Sequence, residues 1–122
     1  MKTICNSASF ILSLEVESIS EGVPIPKTGK NFVSVDLFEK PVYSSEIKQS
    51  TSGPIREERI SCIVNNKLPD YLDKNMAFGF ISKLKSENST FFVGMTNPLR
   101  MTESSDLIGR HRIVFSCRTP VK

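Results

Sequence analysis

The chain has 122 residues and a mass of 13.7 kDa, which fits one domain and leaves little room for two. Hydrophobic residues make up 39% and charged residues 24%, which excludes a disordered polymer, and no apolar run approaches the ~20 residues that cross a bilayer. The formal net charge is +3, and all of the basic excess lies in the second half of the chain, where no acid follows Asp106.

The first predicted strands alternate apolar and polar side chains. Leu12–Glu17 and Val33–Leu37 both show the period of two that is typical of a strand with one buried face. Between them, Gly22–Gly29 contains two prolines and two glycines, which cannot continue a helix or a central strand. We therefore predict two strands joined by a loop.

The middle of the chain contains a third predicted strand and a short predicted helix. Gln49–Pro54 is polar and predicts another loop, and the alternation returns over Arg59–Val64. Proline followed by aspartate suits a first helical turn. We therefore predict a helix over Pro69–Met76.

A hairpin is the clearest local pattern in the second half of the chain. Phe78–Leu84 and Thr90–Gly94 are rich in strand-forming residues, and the polar Ser86–Ser89 separates them. A polar excursion over residues 97–106 then precedes the last predicted strand, Arg112–Cys117.

Strands at roughly ten-residue spacing with turns between them are typical of antiparallel sandwiches and small barrels. We therefore predict one all-β, mainly antiparallel domain over residues 1–122, a small β-sandwich or barrel with long loops and at most one short helix. Tryptophan is absent, so phenylalanine is expected to supply much of the core. The expected core phenylalanines are Phe78, Phe80, Phe91, Phe92 and Phe115.

The three cysteines, Cys5, Cys62 and Cys117, are an odd set with long spacings. Disulfide scaffolds show denser, even sets, and zinc sites show close pairs. Cys62 and Cys117 lie in predicted strands and are interpreted as small apolar side chains. Polar residues interrupt the N-terminal apolar stretch, so we expect no signal peptide and a reduced, cytoplasmic environment.

The single histidine, His111, is flanked by Arg110 and Arg112, and two adjacent cations disfavour a charged imidazole. Carboxylate pairs such as Glu15 and Glu17 are expected on solvated faces, and none is expected beside the histidine, so no acid–base dyad or metal site is predicted. The glycines do not form a phosphate-binding pattern. We therefore predict a protein that is not an enzyme, with no catalytic residue, cofactor or metal.

The basic C-terminal part is the candidate interaction site. Arg110, His111, Arg112 and Arg118 follow the last acid, and such a segment can contact nucleic acid or an acidic neighbour. Positive charge on an edge strand also discourages aggregation between sheets. Three function classes stay open: a structural subunit of an assembly, a small nucleic-acid-binding barrel that uses this basic part, and a carbohydrate- or adhesin-like module.

One region of the chain has features of a known group of proteins. It contains a strand–turn–strand unit that ends in Phe92-Val93-Gly94, a loop with Asn97–Arg100, and a closing strand with Ile113–Phe115. In these features Phe78 to Cys117 resembles small β-rich neck and tail proteins of tailed bacteriophages and prophages. The resemblance implies a virion component of a head–tail connector or tail ring, assembled in the host cytoplasm, and it transfers no catalytic residue.

A subunit of this kind is expected to make its contacts through edge strands and long loops. The predicted contact loops are Glu21–Asn31, Glu46–Arg56 and Asn97–Arg110. The expected partners are copies of the chain in a homo-oligomer or ring and other virion proteins, with nucleic acid close to the basic residues. No membrane span and no small-molecule substrate are expected.

Overall fold

The structure is a computed structural model that describes residues 2–121. Within this range it contains eleven β-strands, a 3-10 turn over Ser13–Glu15 and one short helix, α1 (Asp70–Lys74). The strands are β1 (Lys2–Ile4), β2 (Ser7–Leu12), β3 (Val16–Ser20), β4 (Val23–Pro26), β5 (Val33–Ser34), β6 (Val42–Ser50), β7 (Gly53–Asn65), β8 (Phe80–Lys85), β9 (Thr90–Val93), β10 (Arg100–Leu107) and β11 (Arg110–Pro120).

Two antiparallel sheets form a sandwich. The larger sheet has the strand order β1-β6-β7-β11-β10, the smaller has the order β5-β2-β8-β9, and β3 and β4 form a separate ribbon. Phe10 and Phe80 from the smaller sheet meet Phe115 from the larger one, and the Phe10 and Phe115 ring centroids are 4.5 Å apart. The predicted all-β sandwich is confirmed, and no sheet among the described strands closes into a barrel.

The core phenylalanines differ in part from the prediction. Phe80 and Phe115 are fully buried, but Phe78 precedes β8 and is largely exposed, and the side chains of Phe91 and Phe92 are only half-buried. Phe10 is a core residue that the sequence analysis missed. It lies in β2 beside the buried Ile11, and a strand buried on both faces shows no alternation.

The first predicted strand, Leu12–Glu17, is not one strand, because the 3-10 turn separates the end of β2 from the start of β3, and the second is shorter than expected. β2 ends at Leu12, and the N–H of Ser13 donates to the carbonyl of Gly79, 3.0 Å away, as the chain turns into the 3-10 segment. Leu14 is exposed, so the apparent alternation after Leu12 does not line one face. Of the strand predicted over Val33–Leu37, only Val33–Ser34 forms a strand, β5, and Leu37 forms an isolated antiparallel bridge with Val64.

Strands occupy most of two of the three predicted loops and part of the third, so these loop predictions are wrong there. Glu21–Asn31 contains β4, Asn97–Arg110 contains β10, and Glu46–Arg56 is a hairpin whose turn lies between Ser50 and Gly53. These strands lie in the ribbon, at a sheet edge or at the far end of a long hairpin. Their side chains are mostly exposed on both faces, and the sequence therefore lacks the alternation that marks a half-buried strand.

The predicted hairpin and helix are present. β8 pairs with β9 across a turn in which the N–H of Ser86 donates to the carbonyl of Ser89 over 2.8 Å. The helix is shorter than predicted: it begins after Pro69, ends at Lys74 and buries Leu72. Cys62 and Cys117 lie in β7 and β11 as expected, and all three cysteines are free and buried.

Candidate functional site

The outward-facing side of the five-stranded sheet, here called the outer face, holds most of the predicted interaction residues. Side chains alternate along β11, and Ile113, Phe115 and Cys117 point into the core. Arg110, Arg112 and Arg118 therefore lie on the outer face. His111 lies on the other face and is buried.

Cross-strand register places a row of polar residues on the outer face. Lys2 pairs with Ser44, Ser44 with Arg59, Arg59 with Ser116, and Ser116 with Arg100. This set, the basic row, crosses all five strands with a cation on every second strand. Neighbouring strands lie about 4.8 Å apart, so the Cα atoms of successive cationic residues in the row are about 10 Å apart.

A shallow groove of about 300 Å³ lies along the Lys2, Ser44 and Arg59 part of the basic row. Its lining includes the apolar Val42 and Val114 and the hydroxyl-bearing Ser44 and Ser61. Three cations surround it, and no carboxylate lines it. This basic groove is lined by Lys2, Val42, Ser44, Arg59, Ser61, Arg112 and Val114.

The three cations of the basic groove lack protein partners. Lys2, Arg59 and Arg112 form no ion pair and no side-chain hydrogen bond with other described residues. Two acids of the outer face lie near them in register. Glu57 lies two residues before Arg59 on the same face of β7 but is engaged by Lys48 and Arg118, and Glu103 lies opposite Val114 on the edge strand β10. The groove therefore concentrates positive charge without internal compensation.

The other two predicted arginines are engaged within the molecule. Arg118 Nε lies 2.9 Å from Glu57 Oε2, and Lys48 Nζ lies 3.1 Å from Glu57 Oε1. Hydrogen bonds from Lys48 and Arg118 hold the pKa of the Glu57 carboxyl below its ordinary value. The Arg110 guanidinium stacks over Phe38, 3.9 Å from the ring centroid. Both contacts hold these arginines at opposite ends of β11.

His111 belongs to a hydrogen-bonded chain that the sequence analysis excluded. Its Nδ1 lies 2.7 Å from Asp106 Oδ1, and its Nε2 lies 2.6 Å from Ser104 Oγ. The expectation that no carboxylate lies beside the histidine is thus wrong. Antiparallel pairing of β10 with β11 puts Asp106 directly opposite His111, which the sequence could not show without the strand register.

The Ser104–His111–Asp106 chain has the connectivity of a hydrolytic triad, but its electrostatics differ. In such triads the carboxylate is buried and stabilises the imidazolium. Here the Asp106 side chain is 91% exposed and the His111 side chain only 9%, so water screens the carboxylate charge. The arrangement fits a structural role, in which these side-chain hydrogen bonds hold β10 and β11 together near the turn of their hairpin.

A second cavity, of about 400 Å³, lies where β11 passes the segment after β9, and Arg56, Glu58, Cys117 and Asn97 contribute to its lining. Glu58 Oε2 accepts a hydrogen bond of 2.5 Å from the Tyr43 hydroxyl. Burial, and then the nearby Glu58, raise the pKa of Cys117 to about 11. The thiol is therefore protonated at neutral pH and is a poor nucleophile.

The β3–β4 ribbon (Val16–Pro26) is the second notable surface. It pairs with neither large sheet, and its turn places Glu21 and Gly22 at positive φ, as in a type I′ hairpin turn. Ile19, Val23 and Ile25 are each at least 40% exposed. The register pairs Ile19 with Pro24, so Val23 and Ile25 lie on one face of the ribbon and Ile19 lies on the other. Single exposed apolar side chains are ordinary, but this ribbon exposes three of them within seven residues.

The base of the ribbon is fixed to the sandwich through Glu15. Tyr71 donates a hydrogen bond of 2.6 Å to Glu15 Oε1 and accepts one of 2.9 Å from the N–H of Leu12. Lys30 Nζ lies 3.2 Å from the other oxygen of the same carboxylate. The solvated position expected for Glu15 is thus wrong, because this carboxylate is half-buried between Tyr71 and Lys30. Burial and the carboxylate raise the pKa of Tyr71 to about 12.

The sequence analysis found part of the outer face and missed the groove. Arg112 was identified, whereas Lys2, Ser44, Arg59 and Ser61 were not. Alternation in Arg59–Val64 does place Arg59 and Ser61 together on the polar face of a strand. Their proximity to Lys2 and Arg112 depends on the order of four strands, for which no local signal exists.

Comparison with protein-family models, with curated proteins and with solved structures finds no match to this chain. Among residues 2–121 there is no helix with the length and apolar character needed to span a membrane. The same residues contain no group of three or more histidine, cysteine or acidic side chains arranged to hold a metal ion.

Proposed function

We propose that this chain is a non-enzymatic structural subunit of a multi-protein assembly and that its β3–β4 ribbon docks on a neighbouring copy. The observation that carries the proposal is the set of exposed apolar side chains on this ribbon, Ile19, Val23 and Ile25. A two-stranded hairpin is at best marginally stable by itself. Burial against a neighbour would remove apolar surface from water and stabilise the ribbon.

The assembly that we propose is a neck or tail ring of a tailed bacteriophage, put together in the host cytoplasm. The resemblance of Phe78–Cys117 to such proteins supports this placement. The hairpin and the closing strand of that region form β8, β9 and β11 in the structure. Function would then be geometric, and the chain would act through contacts between subunits.

The test is the mass of the purified full chain by size-exclusion chromatography with light scattering, over a range of concentrations and at two salt concentrations. We expect a homo-oligomer of more than two subunits that persists at high salt, because apolar contacts are not screened by ions. The variant Ile19→Ser/Ile25→Ser should shift the mass toward the monomer.

The matched control is Ile47→Ser/Ile108→Ser, which removes two exposed apolar side chains outside the ribbon. This control should keep the oligomer. A chain that is monomeric at every concentration would contradict the proposal, and so would an oligomer that the ribbon variant leaves intact. A closed dimer would retain self-assembly but would contradict the ring.

A further inference from the structure

We propose that the basic groove on the outer face binds the phosphodiester backbone of nucleic acid. The inference is independent of the ribbon contact, because the groove residues come from β1, β6, β7 and β11. It assigns a ligand class to Lys2, Arg59 and Arg112, which have no partner in the described part of the chain. Arg118 and Arg110, by contrast, are engaged by Glu57 and Phe38.

The chemistry of the groove is that of a phosphate site. Two guanidinium groups, from Arg59 and Arg112, and one ammonium group, from Lys2, supply charged donors, and the hydroxyls of Ser44 and Ser61 supply neutral donors. Phosphate oxygens only accept hydrogen bonds, and arginine matches them with a planar fork of donors. A carboxylate in the groove would oppose such a ligand, and none lines it.

The basic row extends this site across the sheet. Lys2 and Arg59 lie in one line with Arg100, and the line starts and ends at the two edge strands. The Arg100 guanidinium also donates a hydrogen bond of 3.2 Å to the carbonyl of Ala77 and keeps its charge. An acidic side chain of a protein partner would neutralise only one cation of this row. A phosphodiester chain carries an anion at every nucleotide and can therefore compensate several cations along the row at once.

The groove offers charged and hydroxyl groups for the phosphates and no aromatic side chain on which a base could stack. Neither the groove nor the basic row contains an aromatic side chain, and Phe10, Phe80 and Phe115 are buried in the core. Proteins that grip single strands through their bases use exposed aromatic platforms. We therefore expect binding that is independent of base sequence and strongly dependent on salt.

Fluorescence anisotropy with a labelled 30-nucleotide oligothymidine and the full chain tests the proposal. Three neutralised phosphates predict a slope of about −2 in log K against log salt for a single strand, or a loss of affinity of about 20-fold between 50 and 200 mM NaCl. Oligoadenosine of the same length should bind within about twofold of oligothymidine.

The decisive variant is Arg59→Gln/Arg112→Gln, compared with Lys74→Gln/Lys85→Gln, which removes the same charge from α1 and β8. We expect the groove variant to bind at least tenfold more weakly at 50 mM salt and to lower the salt slope by about 1.4. The control should change the affinity by less than about threefold. Circular dichroism and thermal unfolding verify that both variants are folded.

Arg59→Lys/Arg112→Lys keeps the charge and should retain most of the affinity, so a loss caused by misfolding of the glutamine variant would be recognised. Equal weakening by the groove and control variants would overturn the proposal, because net charge alone would then account for binding. Absence of binding at 50 mM salt would also overturn it, as would tight binding to heparin without binding to DNA.

The ribbon variant Ile19→Ser/Ile25→Ser separates this test from the test of assembly. At 50 mM salt, each subunit of this variant should bind DNA with the affinity of the unmodified chain.

Discussion

Single residues in this protein derive their roles from the strand that lies opposite them. His111 is surrounded by arginines in the sequence, yet its ring contacts Asp106 and Ser104 across the β10–β11 pairing. Because a carboxylate only accepts hydrogen bonds, Nδ1–H donates to Asp106, and Nε2 forms the second hydrogen bond with the Ser104 hydroxyl. The imidazole thus satisfies both nitrogens at the rim of the core, where an unpaired polar group would be costly.

At this scale we expect His111→Ala to lower the free energy of unfolding by about 1–2 kcal/mol, because it removes two hydrogen bonds and a buried ring. Ser105→Ala on the same hairpin is the control and should change it by less than about 0.5 kcal/mol. Urea unfolding followed by circular dichroism measures both. A fully stable His111→Ala variant, or covalent labelling of Ser104 by a fluorophosphonate in the folded protein, would contradict this structural role.

At the scale of elements, β8 is held on several sides. It pairs with β2 and β9, and Phe80 also forms two backbone hydrogen bonds of 2.8 Å with Leu99. Gly94, which follows β9, lies against this bridge at φ +93°: an added Cβ would lie 2.8 Å from the Phe80 carbonyl oxygen and 3.1 Å from the Leu99 nitrogen. The position therefore needs glycine for space as well as for conformation.

Gly94→Ala should destabilise the fold by more than about 2 kcal/mol, since backbone strain adds to a clash with main-chain atoms that cannot move independently. Gly22→Ala is the matched control. Its φ is +75° but nothing lies within 4 Å of the added Cβ, so only the cost of the left-handed conformation, about 1 kcal/mol, is expected. Guanidinium unfolding of the two variants measures the difference, and equal losses would show that the close approach is unimportant.

At the scale of the whole molecule, the sandwich separates a protected interior from an exposed, charged outside. The three thiols lie inside: burial raises the pKa of Cys5, raises that of Cys62 to about 12 and raises that of Cys117 to about 11. The cations of the basic groove and the apolar side chains of the β3–β4 ribbon lie outside. The proposed contacts therefore do not require the core to open.

This separation predicts the reactivity of the cysteines. At pH 8 a rise in pKa from 9.0 to about 12 lowers the thiolate fraction of Cys62 roughly a thousandfold, and burial also blocks access to the reagent. We expect the native protein to react with a thiol-specific disulfide reagent far more slowly than the denatured protein, in which three thiols should react rapidly. A thiol that reacts equally fast in both states would contradict the buried arrangement.

The sequence alone determined the fold class, the β8–β9 hairpin and the helix near Asp70, because these depend on side-chain period and turn residues within a few positions. It also identified Arg110, Arg112 and Arg118 as a basic segment after the last acid, but their common face became clear only once β11 was seen to run from Arg110 to Pro120. It failed for β4 and β10, whose exposed side chains leave no alternation to detect.

Only the tertiary structure decided which residues become neighbours. Lys2, Arg59 and Arg112 come from opposite ends and the middle of the chain, and the order β1-β6-β7-β11 brings them around one groove. The same pairing places Asp106 against His111. The physical reason is that strand order and register depend on how two whole sheets bury their inner faces together, and no short segment contains that information.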